Sequence, residues 1–192
     1  MASFEPTMMT TKKDRLTKAD WLEKALQILA FEGINKLTID HLVKEIGVTT
    51  GSYYWHFKNR ADFLDQLVEY WVSEYTQIIF DKVIKTEDPR ERLLALMILL
   101  TEEDHVRYDT AILEWGSHEP LAREKIQKAI DIRLHFLRTL FAEMGFEGDD
   151  LEMRAYTVLT FQTMEDHRYN KLSKEERLRH VKLRHRMLIS KP

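Results

Sequence analysis

The sequence predicts an all-α fold, and three observations carry that reading. Apolar residues recur at spacings of three and four along most of the chain. Runs of β-branched residues with period-two alternation are absent. Only 6 Gly and 4 Pro occur in 192 residues, about half their usual combined share of ~12%, so elements are long and turns few.

The elements follow in order. Residues 1–15 are polar and unpatterned, which predicts a flexible N-terminal arm. Thr17-x-x-Asp20 is a capping box with Asp in place of Glu, opening a first helix that ends at Gly33. Thr38 reads as the N-cap of a second helix, with Leu37 and Leu42 as a hydrophobic staple, and Gly47 stops it. Thr49 caps a third helix, stapled by Val48 and Tyr53. Asn59 caps a fourth that starts at Arg60, carries Phe63, Leu64, Leu67, Trp71, Tyr75 and Ile78, and runs to about residue 84. Asp88-Pro89 opens a helix to about residue 104, followed by a shorter one over 106–115. Pro120 opens a long helix to Met144, stopped by Gly145. The stretch 148–150 turns the chain into a helix to about residue 169. Ser173-x-x-Glu176 is a full capping box for the last helix.

Composition excludes several classes. Zero Cys removes disulfide scaffolds, thiol catalysis, Cys-ligated zinc and Fe–S clusters, and fits a reducing cytoplasm. The longest apolar run, 93–100, is far short of the ~20 residues a bilayer needs, and residues 1–10 show no signal pattern. We therefore expect a cytoplasmic protein with no membrane partner. The net charge of −3 is an average of unlike parts. The first 60 residues hold 9 Lys+Arg against 7 Asp+Glu, and the remainder 20 against 25.

The informative segment is 37–67. Two short helices flanking a turn at Gly47-Val48-Thr49 form a helix-turn-helix pattern, whose second helix fits a DNA major groove. With Tyr53 facing inward, Gly51 and Trp55 point away from the core, Ser52 and Tyr54 flank them, and Thr50 sits at the helix start. This face offers hydroxyls and aromatic edges but no carboxylate to repel phosphate. Gly51 costs ~1 kcal/mol against Ala inside a helix, and close backbone approach to DNA would return it. His56, Lys58 and Arg60 follow at the mouth of the fourth helix, and the second helix starts near Thr38. Both are places to meet phosphates. The competing reading, an aromatic core knot at 53–57, suits Tyr53 and Phe57 but cannot bury all five residues on one side.

Residues 17–67 closely resemble the DNA-binding domain of the TetR family of transcriptional regulators. The resemblance rests on 25–33, on Leu37-Thr38-Ile39, on Ile46-Gly47-Val48-Thr49-Thr50-Gly51-Ser52-Tyr53-Tyr54-Trp55-His56-Phe57-Lys58-Asn59-Arg60, and on Phe63-Leu64. It implies a homodimer on a near-palindromic double-stranded operator, base contacts from the third helix, and phosphate contacts from Tyr54, His56 and Arg60. Arg60 stands where the family usually has Lys, and Tyr53 where a smaller aliphatic residue is common. The resulting site prediction is Thr38, Thr49, Thr50, Gly51, Ser52, Tyr54, Trp55, His56 and Arg60. The expected organisation is an arm (1–15), a helix-turn-helix DNA-binding domain (16–64) and a larger helical ligand-binding and dimerisation domain (65–192).

The C-terminal part carries no motif of its own. Family analogy implies that the last two helices dimerise. The stripes Leu151, Ala155, Val158, Leu159, Gln162 and Leu178, Val181, His185, Leu188 are the candidate faces, with an ordinary intrachain core as the alternative. An effector pocket for a small hydrophobic or aromatic molecule of unknown identity would draw on Trp71, Tyr75, Met97, Tyr108, Trp115, Phe136, Phe161 and Met164. No enzyme motif occurs. The competing class is a metal-binding helical-bundle enzyme using Glu102-x-x-His105. The preferred reading, a repressor released by its effector, expects no cofactor and no metal.

Overall fold

The computed structural model describes residues 16–103, 105–163 and 171–190. Helices account for nearly all of it, and no strand occurs among the described residues. Three helices, α1 (Lys18–Glu32), α2 (Ile39–Ile46) and α3 (Thr50–His56), form the N-terminal unit, with a 3-10 turn at Ile34–Lys36 that the sequence did not announce. Seven follow: α4 (Arg60–Val72), α5 (Ile78–Val83), α6 (Pro89–Glu102), α7 (His105–His118), α8 (Pro120–Glu143), α9 (Gly148–Thr163) and α10 (Lys174–Ile189). The expected arm at 1–15 lies outside the described residues.

Local chemistry sets the helix starts. The side chains of Thr17, Thr38, Asn59, Asp88 and Ser173 each accept a backbone N–H from their own first turn. Thr49 stands at the N-cap of α3, yet its hydroxyl makes no cap bond. Gly47 ends α2 in the left-handed region (φ 77), where a side chain would be strained.

The expected fourth helix is α4 and α5 joined by a π turn at Ser73–Gln77. Its buried stripe is Phe63, Leu67, Trp71, Tyr75, Ile79 and Val83. The expected Ile78 is only half-buried. Four residues overshoot a 3.6-residue turn, so a strict period of four would wind roughly 200° around an α-helix over those five steps. The wider π turn takes up part of that drift and brings Ile79 inward in place of Ile78.

Arg133 of α8 holds the π turn. It donates through Nε to Thr76 Oγ1 (2.9 Å) and through Nη2 to the Tyr75 carbonyl (2.8 Å). It also pairs bidentately with Asp109 of α7, at 2.7 and 3.1 Å. Trp71 Nε1 donates to the same carboxylate at 2.9 Å, and the guanidinium lies 4.7 Å from the Trp71 ring. All four side chains are buried.

Two apolar clusters form the interior. The first joins α1–α4 to Ile112 and Trp115 of α7 and to Ala122, Ile126 and Ala129 of α8. Packing thus runs without a break across the expected boundary at 64. The second gathers α5, α6, α8, α9 and α10.

The second cluster corrects the dimer prediction. Ala155, Val158, Val181 and Leu188 are core residues of this chain, and His185 is buried with its Nε2 2.8 Å from the Arg90 carbonyl. A partner cannot reach them. Leu151, Leu159 and Leu178 are half-buried beside them, and the Gln162 side chain lies outside the described residues.

Removing Asp109 would leave Arg133 buried and unpaired. Asp109→Ala should lower the unfolding free energy by about 3–5 kcal/mol, read by chemical denaturation. Adding Arg133→Met should recover much of it. A single variant within 1 kcal/mol of wild type would mean the pair does not carry this junction.

Candidate nucleic-acid interface

A seven-residue helix cannot hold itself in place, so the site begins with what anchors α3. Tyr53 and Phe57 turn inward and are fully buried. Tyr53 meets Trp21 edge-on at 5.9 Å between centroids, and Phe57 meets Phe63 at 5.0 Å. The Tyr53 hydroxyl donates to the Asn59 carbonyl at 3.3 Å, and burial pushes the phenol up to about 12. It therefore stays a neutral donor, tying α3 to the cap of α4.

The opposite face is open. Thr49, Thr50, Gly51, Tyr54 and Trp55 are exposed, Trp55 at 78% and Tyr54 at 57%. Ser52 is half-buried. His56 is half-buried too, its ring 5.8 Å from Trp21, so it stands at the edge of the cluster. Thr38 caps α2 from an exposed position, where the first N–H groups of that helix face outward.

Arg60 is exposed at the start of α4, and its Nη2 donates to the Leu37 carbonyl at 3.3 Å. One guanidinium thus links the entry of α2 to the start of α4. Nothing local announces this bond, because it spans 23 positions. Two further cations lie beside this face: Lys18, which the sequence reading does not single out, and Lys58, which it places next to Arg60. Both are exposed, and the Lys18 ammonium lies 5.8 Å over the Phe57 ring. The Lys58 backbone N–H donates to Asp62 at 2.8 Å, a bond that holds the Asp62 carboxyl below its usual range.

Gly51 is informative. A Cβ built there would meet only Thr49 Oγ1, at 3.8 Å, and its φ is not positive. Nothing inside the protein requires glycine at this exposed helical position.

The effector prediction fares differently. Tyr75 lines a cavity of only about 40 Å³ beside Arg133 and Asp109. Trp115 lines a separate cleft, and Phe136 stacks on Phe80 at 4.1 Å beneath another groove. Trp71 and Met97 are fully buried in two different clusters, and Tyr108 packs on Tyr75. Phe161 is exposed on α9 with Arg184 over its ring, and Met164 lies outside the described residues. These side chains do not line one pocket, because helical spacing records burial and not which cavity a residue meets.

The metal alternative also fails on geometry. Glu102 ends α6 and His105 begins α7, so the i, i+3 pair shares no helix face. His105 Nε2 bonds Glu103 at 2.7 Å instead, while burial pulls the imidazole below its ordinary value. Among the described residues no group of three or more His, Cys, Asp or Glu is placed to hold a metal. No helix of the described residues is long and apolar enough to cross a membrane.

Comparison with known proteins agrees with the geometry. Residues 22–67 match the family described as bacterial regulatory proteins, tetR family. The chain is 27% identical over 94 residues to the HTH-type transcriptional regulator AcrR of Shigella flexneri, covering 48% of this chain and 44% of that one. It thus spans under half the length of that relative. It is 23% identical over 152 residues to the fatty acid metabolism regulator protein of Bacillus subtilis, covering 76% and 78%. The solved reduced form of NemR from E. coli superposes with a TM-score of 0.74 at 16% identity, covering 92% of this chain and all of that one. The last likeness shows a shared fold.

Replacing Gly51 should separate folding from binding. Gly51→Ala should stabilise the protein by up to ~1 kcal/mol while weakening DNA affinity at least tenfold, read by denaturation and fluorescence anisotropy. Unchanged affinity would remove the close-approach reading. Tyr54→Ala and Arg60→Ala should each weaken binding to every duplex, and Arg60→Ala should also flatten its salt dependence by about one unit of log–log slope. A wild-type slope in Arg60→Ala would sink its phosphate assignment.

Proposed function

Because the chain belongs to the TetR family through residues 22–67, we propose that it is a dimeric, ligand-responsive transcriptional regulator, a repressor released from a palindromic operator by a small apolar or aromatic effector. One observation carries the reading. A short helix, anchored by two buried aromatics, presents Thr50, Gly51, Ser52, Tyr54 and Trp55 to solvent between exposed cationic side chains. Such a helix fits a major groove about 12 Å wide. Thr50, Gly51 and Ser52 supply the base contacts. Thr38, Tyr54, His56, Lys58 and Arg60 supply the phosphate contacts.

The dimer face lies outward on the same helices that the sequence singled out. Met153 and Tyr156 of α9 and Leu183 and Met187 of α10 are exposed, Met187 at 74%. Apolar side chains this large, gathered on the outer faces of two helices, mark an interaction surface. A second copy packing there would form an isologous interface and set the spacing of the two α3 helices. Repression then depends on that spacing, about 34–36 Å for successive major grooves. An effector that moves α4 spoils it.

Selection of bound duplexes from random DNA tests the function. The expected product is an inverted repeat with half-site centres about one or a few helical turns apart, and Ser52→Ala should change its sequence. No enriched inverted repeat would remove the proposal. Met187→Glu and Met153→Glu should each shift the protein from dimer to monomer in sedimentation and cut operator affinity at least tenfold. Dimers that persist in both would place the interface elsewhere.

A further inference from the structure

The outer faces of α9 and α10 carry charge as well as apolar surface, and the two signs sit at opposite ends. On α9 the exposed stripe runs through Asp149, Met153 and Tyr156, spaced to share one side of the helix. On α10 it runs through Glu175, Arg179, Leu183 and Met187, with Lys182 and Arg186 beside it. Residues 177–190 hold five Lys+Arg and no Asp or Glu.

Two carboxylates of α9 are already paired within the chain, Asp150 with Arg154 at 2.9 Å and Glu152 with Arg138 at 2.7 Å. Glu147 and Asp149 are exposed and have no ion-pair partner among the described residues. The same holds for Arg179, Lys182 and Arg186, and for Glu175 one turn before Arg179. The helices run antiparallel, because Arg154 near the start of α9 donates to the Leu188 carbonyl at the end of α10, and Arg184 covers the Phe161 ring further along. The acidic start of α9 therefore lies at one end of the face. Arg179 and Lys182 lie at the other, and Arg186 lies between them beside Met187.

The two-fold axis of an isologous pair can run along these helices or across them. Along them, both acidic ends share one end of the assembly and both cationic ends the other, so like charges gather. Across them, with the axis through Met153, Tyr156, Leu183 and Met187, each acidic end meets the cationic end of the other copy. We propose that a second copy docks on this face about the crosswise axis, held by ion pairs from Glu147 and Asp149 of one copy to Arg179 and Lys182 of the other. Complementary charge fixes an orientation that apolar contact alone leaves open, and it makes association weaken with salt. This ionic register presupposes the dimer reading above and adds to it the charges that set the orientation.

Sedimentation of the intact protein without DNA tests the register. Self-association of the wild type should weaken at least fivefold between about 50 mM and about 500 mM sodium chloride. Surface pairs are individually weak, but symmetry makes each occur twice and charge reversal turns attraction into repulsion. Arg179→Glu and Asp149→Arg should each weaken self-association at least tenfold, with helix content unchanged by circular dichroism. An equimolar mixture of the two variants should form a heterodimer at least tenfold tighter than either homodimer, because both of its pairs again join opposite charges. Weak homodimers whose mixture gains nothing overturn the pairing. A wild-type dimer that ignores salt, or that both substitutions leave intact, removes the register and leaves the dimer reading standing. A wild type that stays monomeric at low salt defeats the dimer reading itself, and the register with it.

Discussion

The aromatic packing beneath α3 is the constraint on which the proposed DNA surface depends. An isolated helix of seven residues is unstable in water. Here Tyr53 and Phe57 are clamped by Trp21 and Phe63 at centroid distances of 5.0–6.3 Å. The intervening residues have no choice of side once those two point inward. Tyr54 and Trp55 must face water, or whatever replaces it. A Tyr at position 53 adds something a smaller aliphatic residue lacks, because its hydroxyl reaches the Asn59 carbonyl and fixes α3 against α4.

The same logic continues into α4, which belongs to both halves of the molecule. At its start Arg60 reaches the Leu37 carbonyl. At its far end the π turn is gripped by Arg133, whose charge is balanced by Asp109. Between these ends its buried stripe packs into a core that includes α7 and α8. The N-terminal helices are thus not a bead on a linker. A displacement of α4 is felt at Arg60 and by the loop before α2, because one hydrogen bond joins them.

What was legible in the sequence was local. Capping residues announce helix starts because the side chain and the N–H it satisfies are within three positions, and Thr17, Thr38, Asn59, Asp88 and Ser173 were all readable for that reason. The inward and outward faces of α3 were readable because two buried aromatics fix its rotation. The π turn escaped, although its trace was present as a stripe of strict period four from Phe63 to Val83. The outer faces of α9 and α10 escaped because each helix carries two apolar stripes. The stronger one, through Ala155 and Val181, serves the chain's own core, and Met153 and Met187 on the weaker one are exposed. Pocket membership was not legible at all. Trp71, Tyr75 and Trp115 meet different spaces, and only tertiary packing assigns them.

Broken local rules sort these residues further, by whether the chain itself compensates them. A buried charge pair breaks the rule that ions stay in water, yet Arg133 and Asp109 find partners within the fold, so their role is structural. Gly51 breaks helix propensity with no steric cause inside the protein. Trp55 and Met187 expose large apolar surface. The costs at Gly51 and Met187 are returned by nothing among the described residues. They fall on two separate surfaces, the outward face of α3 and the outer face of α10. A compensating partner at each, DNA at the first and a second copy at the second, makes both costs intelligible together.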